Sequence, residues 1–410
     1  MNKLFYLASI ISGALFAQDT ARVLFVGNSY TYVNDLPQLV DDIANSKGND
    51  LVHDSHTPGG NTMQQHSVNG TLMNKLDDDE WNFVILQGQS QEASFSPGQV
   101  SSDVYPYAAN LVDSIIANNS CAEPLFFMTW GRENGDASNC QFYPPICTYS
   151  GMQTRLSESY TEMSLNNASS LSPVGEVWKA VRTQYPSYNL YSSDGSHPSL
   201  LGSYLAACTF YEIIWQESAI GASYPSGITA TEALNIQTIT NQLVGQDLAS
   251  WLSYGNIPFV EPNYELSNGE DLSFHANGQN STDYLWSFPD GTEILSDSGA
   301  YTFTGSSGLF DFKLIYSNEC HSFERDFQIE AAIGLVENNA NVEIFIEHKQ
   351  LLLQAKKPFS GSIRIFNMEG KLMHQQLVNE INTTIDLGHL VIGTYILQIN
   401  ETTGFKFGLR

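Results

Sequence analysis

The residues able to do chemistry fall in two short stretches far apart in the chain. One is Val23-Leu24-Phe25-Val26-Gly27-Asn28-Ser29-Tyr30-Thr31, and the other is Ser193-Asp194-Gly195-Ser196-His197-Pro198-Ser199. A serine hydroxyl is a poor nucleophile until a base takes its proton, and that base needs a third group to orient it. Ser29, His197 and Asp194 supply these three residue types, in the chain order Ser, Asp, His. The plainer role for Asp194 is a helix cap, and the plainer role for any one serine after a strand is a solvated turn. Ser90, in Gly88-Gln89-Ser90, is the rival nucleophile, because it too follows an apolar run. The Gly-x-Ser-x-Gly elbow is absent, since position 31 is Thr.

These side chains need a scaffold. The apolar β-formers before Gly27 predict a buried strand that delivers Ser29 at its carboxyl end, where open α/β sheets carry their sites. Further strands are predicted at 50–56, 82–87, 124–130 and 188–192. Helical patterns are predicted at 35–47, 61–76, 100–118, 151–169, 174–185, 198–216 and 229–252, the sixth opened by Pro198. Such alternation implies a parallel sheet covered on both faces. From Pro258 helix periodicity stops and short alternating runs replace it: Tyr284 to Phe288, Tyr301 to Phe303 and Phe310 to Tyr316, with Pro289-Asp290-Gly291 as a turn. The final segment is β-rich again at Val342 to Glu347, Leu351 to Ala355, Ser362 to Asn367 and Thr394 to Asn400, with a hairpin turn predicted at Met368-Glu369-Gly370.

Gly27-Asn28-Ser29 resembles the first block of the SGNH (GDSL-type) hydrolases, with Asn28 in place of the usual Asp, and Asp194-x-x-His197 resembles their last block. The resemblance implies a three-layer α/β/α sandwich with a parallel five-stranded sheet, and a Ser29–His197–Asp194 triad that needs no cofactor. It also implies an oxyanion hole, because the tetrahedral intermediate carries a negative oxygen that donors must meet. The Ser29 backbone N–H is the first expected donor. Gly60, in Thr57-Pro58-Gly59-Gly60-Asn61-Thr62, matches the family's second block and is the second, with Gly59 as its near neighbour. The family usually has Gly-x-Asn-Asp after the third strand. Here the chain reads Gly88-Gln89-Ser90-Gln91, which puts Gln89 in the place of the third donor.

Around this core, Asn28, Trp130 and Arg132 are the expected substrate contacts, with Trp130 stacking on a sugar ring. For Trp130 and Arg132 the plainer roles are a buried tryptophan and a surface arginine. His53, His56 and His66 crowd one region, but their spacing fits no common zinc motif, and no Cys-x-x-Cys pair occurs, so no metal is expected. Asp77-Asp78-Asp79-Glu80 reads as a solvated acidic turn, with a calcium contact as the alternative.

Leu285-Trp286-Ser287-Phe288-Pro289-Asp290-Gly291 is similar to the W-x-F-x-D-G core of PKD-type domains. Ile363 to Leu372 and Leu390 to Leu397, at the extreme carboxyl end, look like the C-terminal sorting domain of type IX secretion cargo; the alternative is a plain, sugar-binding β-sandwich. Residues 1–18, with Lys3 ahead of an apolar core too short to span a bilayer, predict a signal peptide. The expected division is therefore 1–18 signal peptide, 19–255 hydrolase-like domain, 258–332 PKD/Ig-like sandwich and 338–410 sorting domain, the last two being small all-β modules.

The bulk numbers agree with export. The 410 residues carry a formal charge of −27, from 17 basic and 44 acidic side chains. Such a surface repels nucleic acid and anionic membrane faces. Five cysteines suit an oxidising compartment. Cys140 and Cys147 bracket a Pro-rich loop and are the expected disulfide, with Cys121 as the alternative partner. Cys208 lies in an apolar helical run and is expected to pack as a small hydrophobe. The function these features predict is a secreted or cell-surface serine ester hydrolase, exported through the type IX machinery and lacking a transmembrane segment after processing. Its expected substrate is a small ester or acylated polysaccharide, with removal of O-acetyl groups as the reaction. Alternatives are a lipid or short-chain carboxylester hydrolase, and a non-catalytic surface glycan-binding or adhesion protein.

Overall fold

The computed structural model describes residues 20–267, 270–304 and 308–331 and, in the last module, 342–347, 350–355, 361–367, 371–378, 382–390, 393–399 and 403–409. The expected signal peptide at 1–18 and the expected turn at Met368-Glu369-Gly370 lie outside these residues.

The first unit is built on strands β1 (Thr20–Val26), β2 (Asp50–His56), β3 (Phe83–Leu86), β4 (Glu123–Phe127) and β5 (Ser170–Ser172). All pair in parallel, in the order β2-β1-β3-β4-β5. Helices cover both faces, which is why the inner strands read as unbroken apolar runs. Val23 and Phe25 pack on one face with the helices Leu36–Lys47, Val174–Gln184 and Leu200–Trp215. Leu24 and Val26 face the other, with Gly70–Asp77, Tyr105–Asn118 and Tyr149–Asn166. This alternation follows from the two-residue period of a strand. The result is a three-layer α/β/α sandwich, and its strand order reverses between β1 and β3. Sites in such sheets form outside the carboxyl ends of the strands at that reversal.

The predicted fifth strand is corrected. Residues 188–192 form no strand beyond a single bridge between Tyr191 and Pro198. The sheet edge is instead the three-residue Ser170–Ser172. Three of the predicted helices are broken: 61–76 into Met63–Ser67 and Gly70–Asp77, 100–118 into Pro97–Asp103 and Tyr105–Asn118, and 229–252 into Ala230–Thr240, a π-helical turn Asn241–Gly245 and Ala249–Leu252.

From Phe259 to Ala331 the chain forms antiparallel sheets. Strands Glu293–Ile294, Asp283–Ser287, Gly308–Ser317 and Ser322–Ala331 make one, and Ser298–Thr302, Asp271–His275 and Asn263–Ser267 another. Trp286 is fully buried between them, 4.4 Å from the Phe274 ring. The last module likewise consists of antiparallel strands, between Val342 and Leu409, in two sheets.

The sandwich is fastened to the first unit at the opposite end of the sheet from the reversal site. Buried Glu123, at the start of β4, accepts from Ser170 N–H at 2.8 Å and Asn256 N–H at 3.1 Å. Tyr316 Oη donates to Gln216 Oε1 at 2.8 Å. Cys121 is bonded to Cys320, a pairing the sequence reading did not foresee, while Cys140 pairs with Cys147 and Cys208 is free and buried. The Cys121–Cys320 bond spans 199 positions, so it removes much freedom from the unfolded chain. Replacing both cysteines with serine is expected to lower unfolding free energy by about 2–4 kcal/mol. Denaturant titration checks this; an unchanged midpoint would show that the bond contributes nothing to stability.

Candidate active site

The chain leaves β1 at Gly27 and turns at once into a short helix, Ser29–Tyr32. Asn28 caps that helix, its Oδ1 accepting the Tyr30 N–H at 3.1 Å. This puts Ser29 on the first turn, above the carboxyl end of the sheet. His197 Nε2 lies 2.9 Å from Ser29 Oγ, and His197 Nδ1 lies 2.5 Å from Asp194 Oδ2. Asp194 also closes the turn ahead of the helix, its Oδ1 accepting the N–H groups of Ser196 at 2.9 Å and His197 at 3.0 Å, while the helix itself is capped by Ser199. Burial works to raise its carboxyl, but these hydrogen bonds and the imidazole outweigh it, holding the group down at about 2. With Nδ1–H given to Asp194, Nε2 is left to accept from the serine hydroxyl. The His197 and Asp194 side chains are 38% and 49% exposed, so this is an open site and not a deep cavity.

The loops after β1, β2 and β3 are tied together beside Ser29. The Asn28 side-chain amide donates to Asn61 O at 3.1 Å and to Gly88 O at 3.0 Å. Fully buried Gln87 accepts the Asn28 N–H at 2.9 Å and the Thr31 hydroxyl at 3.1 Å. Asn28 is only 2% exposed and its amide is fully engaged, so it braces loops and does not reach a substrate. Gly60 sits in the exposed turn after β2 with φ of +71°, a backbone state glycine adopts without strain. Among the described residues, neither the Ser29 N–H nor the Gly60 N–H donates to a protein acceptor. Gln89 is differently disposed: its side chain is folded back on Gln91, donating to Oε1 at 2.7 Å and accepting the backbone N–H at 2.7 Å.

Trp130 is a correction. It is fully buried, stacked between Tyr30 at 4.5 Å and Trp178 at 4.1 Å, so no sugar can reach its face. Its Nε1 donates to Ser196 O at 3.0 Å, and Tyr30 Oη pairs with Ser196 Oγ at 2.8 Å. Trp130 therefore props the loop that carries His197. Arg132 is partly exposed, with Nη1 3.3 Å from buried Asp136. Asp136 also takes the Gln91 side-chain amide at 2.6 Å, linking the loops after β3 and β4. The exposed aromatic at the rim is Tyr32, 50% accessible and beside Gly59. Its signal in the sequence is its position three residues after Ser29, on the same helix face.

Ser90 is 7% exposed, with the Gln89 amide 3.5 Å from its hydroxyl. His66 is buried and kept neutral, burial pushing its pKa down to about 4. No group of three or more His, Cys, Asp or Glu side chains that could hold a metal ion occurs among the described residues.

Residues 338–407 match the family described as the secretion system C-terminal sorting domain. The chain is thus a type IX secreted or cell-surface protein, and no helix of the described residues is long and apolar enough to cross a membrane. No curated protein matches the chain. Among solved structures it is similar to a DUF4886 family protein from Bacteroides uniformis, at 18% identity and a TM-score of 0.48, over 55% of this chain and 95% of that one. A candidate SGNH hydrolase from Slackia heliotrinireducens matches at 25% identity and a TM-score of 0.39, over 47% and 98%. The PKD1 domain of the Vibrio cholerae metalloprotease PrtV matches at 16% identity and a TM-score of 0.17, over 18% and 96%.

Proposed function

We propose that this protein is a serine ester hydrolase acting outside the cell on a carbohydrate ester, with removal of O-acetyl groups as its reaction. One observation carries the reading: a serine hydroxyl, an imidazole and a carboxylate in an unbroken hydrogen-bonded chain at the reversal point of a parallel sheet. Ser29 Oγ attacks the ester carbonyl as His197 Nε2 takes its proton, and Asp194 holds the imidazole in the tautomer that can do so. The free N–H groups of Ser29 and Gly60 meet the developing oxyanion. Gln89 serves as a third donor only by swinging away from Gln91. His197 then returns the proton to the leaving sugar oxygen. A water molecule, deprotonated by the same nitrogen, frees the acid from the acyl-serine.

The carbohydrate preference is supported by the openness of the site, by the exposed Tyr32 ring at its rim, and by the secretion domain. An amphipathic aromatic face suits the C–H face of a sugar. A fluorophosphonate probe should label Ser29, mapped by mass spectrometry, and acetate should be released from acetylated xylan or pectin. Labelling with turnover confined to long-chain nitrophenyl esters would replace the substrate class with lipids. No labelling and no turnover would leave a non-catalytic surface protein.

A further inference from the structure

We infer that Glu92 is the positioning residue of the oxyanion side of this site, one oxygen of its buried carboxyl holding the loops after β2 and β3 at a fixed spacing. The inference rests on the hydrolase reading above. Glu92 Oε1 accepts the Met63 N–H at 3.0 Å and the Gln89 N–H at 2.9 Å. Met63 comes three residues after Gly60, and Gln89 directly after Gly88. The same two loops are held a second time by the Asn28 amide, which donates to Asn61 O and Gly88 O. The two clamps are complementary. Asn28 supplies donors to the loops' carbonyls, Glu92 supplies an acceptor to their N–H groups, and Asn28 is joined covalently to Ser29. The nucleophile and the Gly60 turn are thereby set against one another by four hydrogen bonds.

Two further features show that the carboxyl belongs to this arrangement. A Cβ at Gly88 would overlap Glu92 Oε1, so only glycine lets the β3 loop close onto the acid. Glu92 is 8% exposed, and burial pushes its carboxyl up to about 7 against the pull of its two N–H donors. Burying an acid is costly, and an apolar side chain in its place would leave both N–H groups unpaired. Glu92 makes no bond to Ser29 or His197, so it acts only through the loops.

The test uses the full chain with p-nitrophenyl acetate, rates being normalised to Ser29 sites titrated by a fluorophosphonate. Glu92→Ala is expected to lower kcat about 10²-fold per titrated site, the loss typical of a misplaced oxyanion donor, with KM changed less than about threefold. Glu92→Gln, which keeps an oxygen acceptor, should return to within about tenfold of wild type. A kcat for Glu92→Ala within about twofold of wild type overturns the inference, as does a loss that appears only in the titratable fraction. If Glu92→Ala does not fold, Glu92→Asp replaces it, its oxygen one methylene short of spanning both N–H groups; equal rates for the Asp, Gln and wild-type proteins overturn the inference. Amide hydrogen exchange separates this failure from that of the hydrolase reading. An inert wild type defeats the reading, and the clamp is then judged by whether Met63 and Gln89 exchange faster in the Ala or Asp variant but not in the Gln variant.

Discussion

Ser29→Ala is expected to abolish ester hydrolysis, lowering kcat by roughly 10⁶, the order seen when the nucleophile of a hydrogen-bonded triad is removed. Ser90→Ala should leave kcat within about threefold. The two serines look alike in sequence, each following an apolar strand, but only Ser29 has an imidazole at bonding distance. Ser90 is nearly buried with an amide beside its hydroxyl, and an amide takes no proton. The fold should survive the first change, because Ser29 is half-buried and, among the described residues, its Oγ bonds to no side chain but His197. Steady-state kinetics, with circular dichroism as the control for folding, checks both variants. Comparable losses in the two, or a Ser29→Ala protein with more than about a tenth of the original rate, would remove Ser29 from its role.

The parts of the fold legible in the sequence were those with a local period or a local stop. Val23 to Val26 reads as a strand because both of its faces are buried, so every position is apolar. Asp194-x-x-His197 reads as a unit because a tight turn brings a carboxylate back to the residue three positions on. Ser170–Ser172 was missed because an edge strand of three residues, two of them serines, has no apolar pattern to show. The segment 188–192 was mistaken for that strand because Tyr188, Leu190 and Tyr191 are β-formers. Leu190 and Tyr191 are buried against helices and not in the sheet.

The bracing of the site was illegible for a different reason. Gln87, Glu92 and Asp136 are buried polar groups with partners on other loops, and no spacing rule links an acceptor to a donor 29, 45 or 59 positions away. Trp130 and Tyr32 show the same limit for aromatics. Each follows a strand closely in the chain, but only packing decides which is stacked shut between two rings and which stands open. Gln89 has the right chemistry for a donor in the right loop, and Gln91, two residues on, takes up its side chain.

Asp194→Asn is expected to lower kcat about 10⁴-fold near neutral pH, the order known for this change in a serine triad, and the geometry here says why. Asp194 uses its two oxygens differently: Oδ1 receives two backbone N–H groups, while Oδ2 faces the imidazole Nδ1. In the asparagine variant the carboxamide oxygen is claimed by those two N–H donors, so the NH₂ must face Nδ1. Nδ1 then has to accept, the ring proton moves to Nε2, and Nε2 points a hydrogen at Ser29 where a lone pair is needed. Stability should change little, because the side chain is half exposed and the turn keeps its cap. The pH behaviour follows from the depressed value of about 2 in the folded protein. The stabilisation linked to this ionisation, small for so exposed a carboxylate, is complete above the ordinary aspartate range and is lost as pH falls toward 2, since the folded state gives up its proton more readily than the unfolded chain. Between pH 5 and 9 the wild-type Asp194 therefore stays ionised, and the variant's deficit is expected at every pH in that window. A deficit that disappears within the window, or an Asp194→Asn enzyme within about tenfold of wild type, would mean that Asp194 caps the turn and does not set the tautomer of His197.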